Sequence, residues 1–177
     1  LGARFTKWRG VISIDDGIPT RHCIDTNAHA LARFAALSQK SGLVPIVEPE
    51  VLMDGSHDID QCFEVTESTL REVFYQLAQH NVSLEGCLLK PNMVLSGGSA
   101  VNRAGAEEVA EKTLACFKRV VPAAVPGIVF LSGGQSDDEA TLNLDAINKC
   151  AAKIGAPWQL SFSFGRGLQQ ATLKAWI

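Results

Sequence analysis

The sequence predicts an α/β fold with a parallel sheet, because short apolar segments alternate with longer stretches of helical periodicity along the chain. Each strand–helix unit takes about 30–45 residues, the length expected of a βα repeat. Five such units occupy the 177 residues. Eight units at this spacing would take roughly 280 residues, the size of a (β/α)8 or TIM barrel, which is the fold that the pattern predicts.

The predicted strands are short apolar or alternating segments bounded by glycine, proline or polar residues. They are Trp8–Ile14, Leu43–Val47, Leu84–Leu89, Ile128–Leu131 and Trp158–Phe164. An open doubly wound sheet is the alternative arrangement of the same elements. The G-x-G-x-x-G turn that usually follows its first strand is absent, and this weighs against a dinucleotide site.

Helical periodicity follows each strand. The predicted helices are Asn27–Lys40, Glu67–His80, Ala106–Val120, a fourth from Ser136 to about Ala151, and Leu168–Trp176. In the first, apolar residues recur at spacings of three and four, and Gly42 follows as a stop signal. The fourth opens with Ser136 and Glu139, which have the spacing of a capping box.

The bulk composition excludes several classes of partner. The net charge is -3, so nothing indicates electrostatic binding to nucleic acid or to an anionic membrane surface. No apolar stretch approaches the roughly 18 residues needed to span a bilayer. The five cysteines are irregularly spaced and form no C-x-x-C pair, which favours reduced intracellular thiols over a zinc site or a disulfide framework.

Charged residues stand two apart at the first two strands, so both members of each pair face the same side. Lys7 and Arg9 form a pair of cations, which is costly inside a protein unless an anion joins them. Glu48 and Glu50 form a pair of carboxylates, and such proximity makes one of them usable as an acid–base catalyst near neutral pH. Each pair also fits an ordinary solvated strand or loop end.

Lys90 directly follows two leucines and precedes a proline, so we expect its ammonium to be partly desolvated. Desolvation and a neighbouring cation both lower the pKa of a lysine side chain, which favours an amine that forms an imine with a carbonyl compound. The alternative is a lysine whose charged end reaches solvent from a strand end, which is a common arrangement.

Two glycine-containing turns are candidates for an anion site. Ser132 and Gly133 open the turn after the fourth strand, where backbone N–H groups and the next helix N-terminus favour an anion. Gly165 and Arg166 follow the fifth strand, and a guanidinium matches the geometry of phosphate. Each turn alone also fits an ordinary connection. Together, the five strand ends indicate imine chemistry on an anionic carbonyl substrate.

Five strings resemble, in order and spacing, the motifs of the class I fructose-bisphosphate aldolase family. They are Lys7-Trp8-Arg9, Pro45-Ile46-Val47-Glu48-Pro49-Glu50, Leu88-Leu89-Lys90-Pro91-Asn92-Met93, Leu131-Ser132-Gly133-Gly134-Gln135-Ser136 and Gly165-Arg166. The resemblance implies that residues 1–177 form a partial TIM-barrel catalytic domain with about the last five βα units. It also implies that the opening strands and a C-terminal tail ending in tyrosine lie outside these residues.

The resemblance implies a role for each of these residues. Lys90 would form the Schiff base with fructose 1,6-bisphosphate, and Glu48 would be the general acid–base group. Glu50 would complete the charge network, and Lys7 would tune the site electrostatically. The phosphate-binding residues would be Arg9 near the aldehyde end, and Ser132, Gly133, Gly165 and Arg166 at the dihydroxyacetone half. The family uses no metal or other cofactor for this reaction.

Two alternatives stay open at this point. Another lysine-imine barrel, of the transaldolase or deoxyribose-phosphate aldolase type, would share the chemistry of Lys90. A truncated fragment could instead act as a non-catalytic binding partner. The resemblance implies a homotetramer, and it leaves cytoplasm and plastid open as the location.

Overall fold

The computed structural model describes residues 1–177, which form a five-stranded parallel sheet with helices packed against it. The strands are β1 (Phe5–Ile12), β2 (Val44–Val51), β3 (Leu88–Leu89), β4 (Gly127–Phe130) and β5 (Gln159–Phe162). The helices are α1 (Arg21–Lys40), α2 (Ile59–Gln79), α3 (Ala106–Val120), α4 (Asp137–Ile154) and α5 (Arg166–Trp176). Strands are neighbours in chain order, so a helix joins each strand to the next and all carboxyl ends lie at one edge.

The α/β class and all five predicted strand–helix units are confirmed, but several boundaries differ. Helix α1 begins six residues before the predicted start, because the Thr20 hydroxyl caps it by accepting from the Cys23 backbone N–H at 3.2 Å. Helix α2 begins at Ile59, where Asp58 and Gln61 form a capping box. Its first turns contain threonine and cysteine on the buried face, which weakens the apolar pattern in the sequence.

The second, third and fifth strands differ most from their predicted lengths, and β5 is three residues shorter than predicted. Strand β2 continues to Val51, because the backbone of β1 pairs with it along its whole length. The predicted third strand is reduced to Leu88–Leu89, and the preceding Leu84–Gly86 forms a 3-10 turn. This turn is held by Gln39 of α1, whose Nε2 donates to the Ser83 carbonyl at 2.8 Å.

Two apolar clusters hold the helices against the sheet. In the larger one, Phe117 of α3 stacks on Phe130 of β4 with ring centroids 5.8 Å apart, and it meets Trp158 edge-on at 6.5 Å. The smaller one joins α1, α2 and β2 through side chains such as Leu31 and Val47. Each large side chain buried in this way stabilises the fold by about 1.5–3 kcal/mol, so the strand ends rest on a rigid support.

The outer strands leave large apolar side chains at the surface. Phe5 and Trp8 of β1 are 63% and 54% exposed, and Phe162 of β5 is 48% exposed. Parallel sheets are normally covered on both faces, so these strands present surface of the kind that further elements cover in larger βα folds. None of the helices combines the length and hydrophobicity needed to cross a bilayer.

Candidate active site

An open cavity of about 590 Å³ lies at the carboxyl edge of the sheet. Residues from all five strands or the turns after them line it: Arg9, Glu48, Glu50, Leu52, Asp54, Lys90, Leu131, Ser132, Gly133, Gly165 and Arg166. The structure therefore brings together every site residue predicted from the sequence except Lys7. Lys7 does not line the cavity, but it contacts the carboxylate of Glu48.

Glu48 lies between two amines. Its carboxylate Oε1 is 3.1 Å from Nζ of Lys90, and its Oε2 is 2.8 Å from Nζ of Lys7. Oε2 accepts no aligned hydrogen bond, so its contact with Lys7 is an ion pair of close charges. Because Glu48 is 3% exposed, these two cations supply the stabilisation that a buried carboxylate needs.

Lys90 is buried just beyond the end of β3, with 9% of its surface exposed. Its backbone N–H donates to the Val47 carbonyl at 2.8 Å, which continues the parallel pairing of β2 and β3 as far as the lysine. A buried ammonium is costly unless it is paired, and Glu48 supplies the partner. At 3.1 Å the amine lies within the distance at which a general base can reach its proton, and the two groups form an ion pair.

Arg9 and Glu50 form a second ion pair beside the first. Arg9 Nε donates to Glu50 Oε2, and this hydrogen bond raises the pKa of Arg9 despite the partial desolvation that lowers it. Glu50 is 3% exposed, whereas the Arg9 side chain keeps 45% of its surface accessible. The two carboxylates are therefore paired with separate cations of β1 and not with one another.

The turn after β4 requires glycine. Gly133 and Gly134 have φ values of 56° and 89°, in the left-handed region that other residues rarely adopt. A Cβ on Gly133 would also lie 2.5 Å from Cδ1 of Leu131. This geometry brings Ser132 and Gly133 to the wall of the cavity.

The helix that can favour an anion at this edge is α5, not α4. The N-terminus of α4 is capped by Ser136, and its first turn carries three acids that already compensate its dipole: Asp137, Asp138 and Glu139. Helix α5 begins at Arg166 with Gly165 as its N-cap, and it has no acid in its first turn. Arg166 also makes no salt bridge within the chain, in contrast to Arg9 and Lys90.

Two residues of the site were not singled out from the sequence. Asp54 lines the cavity as an exposed carboxylate, and it was missed because β2 was predicted to end at Val47. Asn92 is buried, and its Oδ1 accepts from the Val51 backbone N–H at 3.0 Å. Its Nδ2 donates to the Thr66 hydroxyl at 3.1 Å, so it ties the end of β2 to both β3 and α2. Asn92 stands in the family string Leu88–Met93, but that string does not reveal its hydrogen-bond partners.

The fold and the site define a βα-barrel type of protein with a lysine-centred site. Its parallel βα units carry a buried lysine, two paired carboxylates and an unpaired arginine at the edge where the strands end. The family model for class-I fructose-bisphosphate aldolase matches residues 1–177. The chain therefore belongs to the class I fructose-bisphosphate aldolase family.

Individual relatives agree with this assignment. The "Probable fructose-bisphosphate aldolase class 1" of Xanthomonas axonopodis pv. citri is 58% identical over 176 residues, which cover 99% of this chain and 52% of the relative. The "Fructose-bisphosphate aldolase, cytoplasmic isozyme 2" of Pisum sativum is 56% identical over 175 residues, or 48% of its own length. The chain thus spans about half the length of these curated relatives.

A solved aldolase supports the fold. The fructose-bisphosphate aldolase of Plasmodium falciparum, in complex with TRAP and a small-molecule inhibitor, matches with a TM-score of 0.95 and 48% sequence identity. The match covers 99% of this chain and 50% of the aldolase chain. The five-stranded sheet is therefore similar to half of an aldolase TIM barrel, and the predicted fold class is confirmed.

Proposed function

We propose that this chain carries the Schiff-base centre of a class I fructose-bisphosphate aldolase. Such a lyase reversibly cleaves fructose 1,6-bisphosphate to dihydroxyacetone phosphate and glyceraldehyde 3-phosphate, a step of glycolysis and gluconeogenesis. The observation that carries the proposal is the buried Lys90 amine, 3.1 Å from Glu48, in a cavity whose unpaired cation is Arg166. Membership of the aldolase family supports the choice of substrate.

In the proposed mechanism, Glu48 takes a proton from Lys90, and the free amine attacks the ketone carbon of the substrate. Glu48 then protonates the hydroxyl of the carbinolamine, which leaves as water and gives the iminium. The hydroxyl on the carbon at the far side of the scissile carbon–carbon bond then loses its proton to Glu48, which is ionised again after the dehydration step. Its C–O bond becomes the aldehyde carbonyl, and the electrons of the broken carbon–carbon bond enter the iminium to give an enamine. Protonation of the enamine and hydrolysis release dihydroxyacetone phosphate and the free lysine.

The other charged residues have supporting parts in this proposal. Lys7 contacts Oε2 of Glu48 while Lys90 contacts Oε1, so Lys7 would contribute to the electrostatic environment of that carboxylate. Glu50 holds Arg9, whose accessible guanidinium is placed for the phosphate at the aldehyde end. Ser132, together with Gly133, Gly165 and Arg166 across the cavity, would receive the phosphate of the dihydroxyacetone half.

Borohydride reduction in the presence of dihydroxyacetone phosphate, followed by peptide mapping, tests the proposal. The expected product is one stable adduct on Lys90 in the natural full-length protein. A Lys90→Met variant should lose the adduct, and a matched Lys149→Met variant should keep it, because Lys149 is a surface residue of α4 paired only with Asp145. Label on any other lysine would refute the mechanism, and absence of label would favour a non-catalytic role.

We further propose that residues 1–177 are about the last five of eight βα units of a TIM-barrel catalytic domain. The exposed apolar side chains of β1 and β5 support this proposal, because closure of a barrel would cover them. The family resemblance supports a homotetramer. The name of the pea relative, a cytoplasmic isozyme, supports a cytoplasmic location.

A further inference from the structure

A relay of buried amides lies directly behind the turn that forms the Ser132 side of the cavity. Asn143 of α4 donates from Nδ2 to Oε1 of Gln135 at 2.7 Å. Gln135 in turn donates from Nε2 to the Ser132 carbonyl at 2.8 Å. Gln135 is 8% exposed and Asn143 is 4% exposed, and neither lines the cavity. The relay therefore acts on the turn from inside the protein.

The turn needs an external restraint of this kind. Gly133 and Gly134 are consecutive left-handed glycines, and glycine loses the most conformational freedom when it is fixed in one conformation. The Ser132 carbonyl accepts both the Gln135 side chain and the Gln135 backbone N–H, the latter at 3.1 Å. Among the side chains of the protein, only Gln135 donates a hydrogen bond to this turn.

The other end of the relay is rigid. Asn143 lies in the second turn of α4, one turn after Ala140 and one before Ile147, which are both fully buried against the sheet. A buried amide costs free energy unless it is hydrogen-bonded, so a pair of apolar side chains would be the simpler way to fill this space. Two matched amides instead orient the Ser132 carbonyl group, and Gln135 Nε2 also donates to Sδ of Met93 in a longer contact of 3.7 Å.

We propose that Gln135 and Asn143 are positioning residues that hold the Ser132–Gly133 turn in the shape that receives the phosphate of the ketose. The inference rests on the proposed function, because that function assigns a phosphate ester to this wall of the cavity. Neither residue touches the substrate, and neither contacts Lys90 or Glu48. Their removal should therefore impair recognition of the phosphate and leave imine formation itself intact.

The test compares borohydride trapping of Lys90 by dihydroxyacetone phosphate with trapping by dihydroxyacetone, which lacks the phosphate. Gln135→Met keeps the side-chain volume, and it removes both the N–H group that donates to the Ser132 carbonyl and the oxygen that accepts from Asn143. It should raise the concentration of dihydroxyacetone phosphate needed for half-maximal trapping about tenfold, the size expected from losing one or two hydrogen bonds behind the turn. The concentration of dihydroxyacetone needed should stay within about twofold of wild type.

Asn143→Leu supplies an independent variant, since it removes the donor that orients Gln135 but leaves Gln135 in place. Its effect should have the same selectivity and be smaller. The double variant should be no worse than Gln135→Met alone, because the two residues act in series. Asn148→Leu is the control, because this amide lies on the exposed side of the same helix and bonds only to the Leu144 carbonyl.

Three results would overturn the inference, and they are distinguishable. Equal losses with both ketones would mean general damage to the site, and unchanged trapping by dihydroxyacetone phosphate would mean that the relay does not position the turn. Absence of trapping at Lys90 in the wild-type protein would refute the proposed function and, with it, the phosphate assignment on which the inference depends.

Discussion

Removal of the buried Asn92 side chain should destabilise the protein substantially, because it leaves a buried donor without a partner. In Asn92→Ala, the backbone N–H of Val51 loses its acceptor, and Val51 is 4% exposed, so water does not replace it. An orphaned buried donor costs about 1–3 kcal/mol. The lost hydrogen bond to Thr66 adds about 0.5–1.5 kcal/mol.

The expected loss of unfolding free energy is therefore about 1.5–4.5 kcal/mol, measured by urea unfolding followed by circular dichroism. For a chain of this size it corresponds to a fall in Tm of about 3–18 °C. Thr66→Val removes the acceptor of the second hydrogen bond and a weak contact with Cys62 Sγ but leaves the Val51 N–H paired, so it should cost about 1 kcal/mol.

The matched control is Asn148→Ala, which removes an exposed amide that bonds within its own helix. Its effect should stay near 0.5 kcal/mol, as for most surface substitutions. If Asn92→Ala and Asn148→Ala lower the unfolding free energy by the same amount, the link between the end of β2 and β3 contributes nothing and the reasoning is refuted.

Three further predictions follow from burial and charge. Burial lowers the pKa of the His57 imidazole. The native state therefore binds a proton at His57 less tightly than the unfolded chain does. The free energy of unfolding should fall as the pH drops below about 6.5, the ordinary pKa of histidine. His57→Gln should flatten this part of a plot of Tm against pH. Iodoacetamide at neutral pH should modify Cys23 and Cys150 before Cys87, since burial raises the pKa of the Cys87 thiol to about 12. Equal rates of modification at these three cysteines in a mass-spectrometric time course would contradict this. Residues 1–177 expressed alone should cleave no fructose 1,6-bisphosphate in a coupled assay, because the proposed barrel has further βα units outside these residues. Measurable turnover would refute this.

The strand ends could be predicted from the sequence because a parallel sheet places every carboxyl end at the same edge. This rule, together with the family resemblance, selected Glu48 and Lys90, and the structure brings them to 3.1 Å. The lengths of the strands could not be predicted in the same way. The second strand was predicted to end at Val47, but pairing with β1 carries it on to Val51.

The pairing of individual charges could not be predicted from the sequence either. Alternation indicated that Lys7 and Arg9 face one way, and that Glu48 and Glu50 do the same. Which cation meets which carboxylate depends on the register of β1 against β2. The 20-residue helix α1 connects the two strands, and the length of such a crossover does not determine that register. The relay through Gln135 was missed for a similar reason, since its partner comes from the next helix.

The distribution of charge in the cavity explains why an anionic substrate would bind in one orientation. The lining includes three cations, Arg9, Lys90 and Arg166, and three carboxylates, Glu48, Glu50 and Asp54. Lys90 and Arg9 are each paired with a buried carboxylate, so their charges are balanced, and the accessible guanidinium of Arg9 would meet the aldehyde-end phosphate while still paired with Glu50. The unpaired guanidinium of Arg166, at the start of α5, is the strongest attraction for a dianion. An unpaired Lys90 would instead draw the phosphate onto the reacting amine and block it. On the proposed function, the ion pair with Glu48 therefore serves two purposes: it moves protons during imine formation, and it keeps the phosphate at the Arg166 side of the cavity.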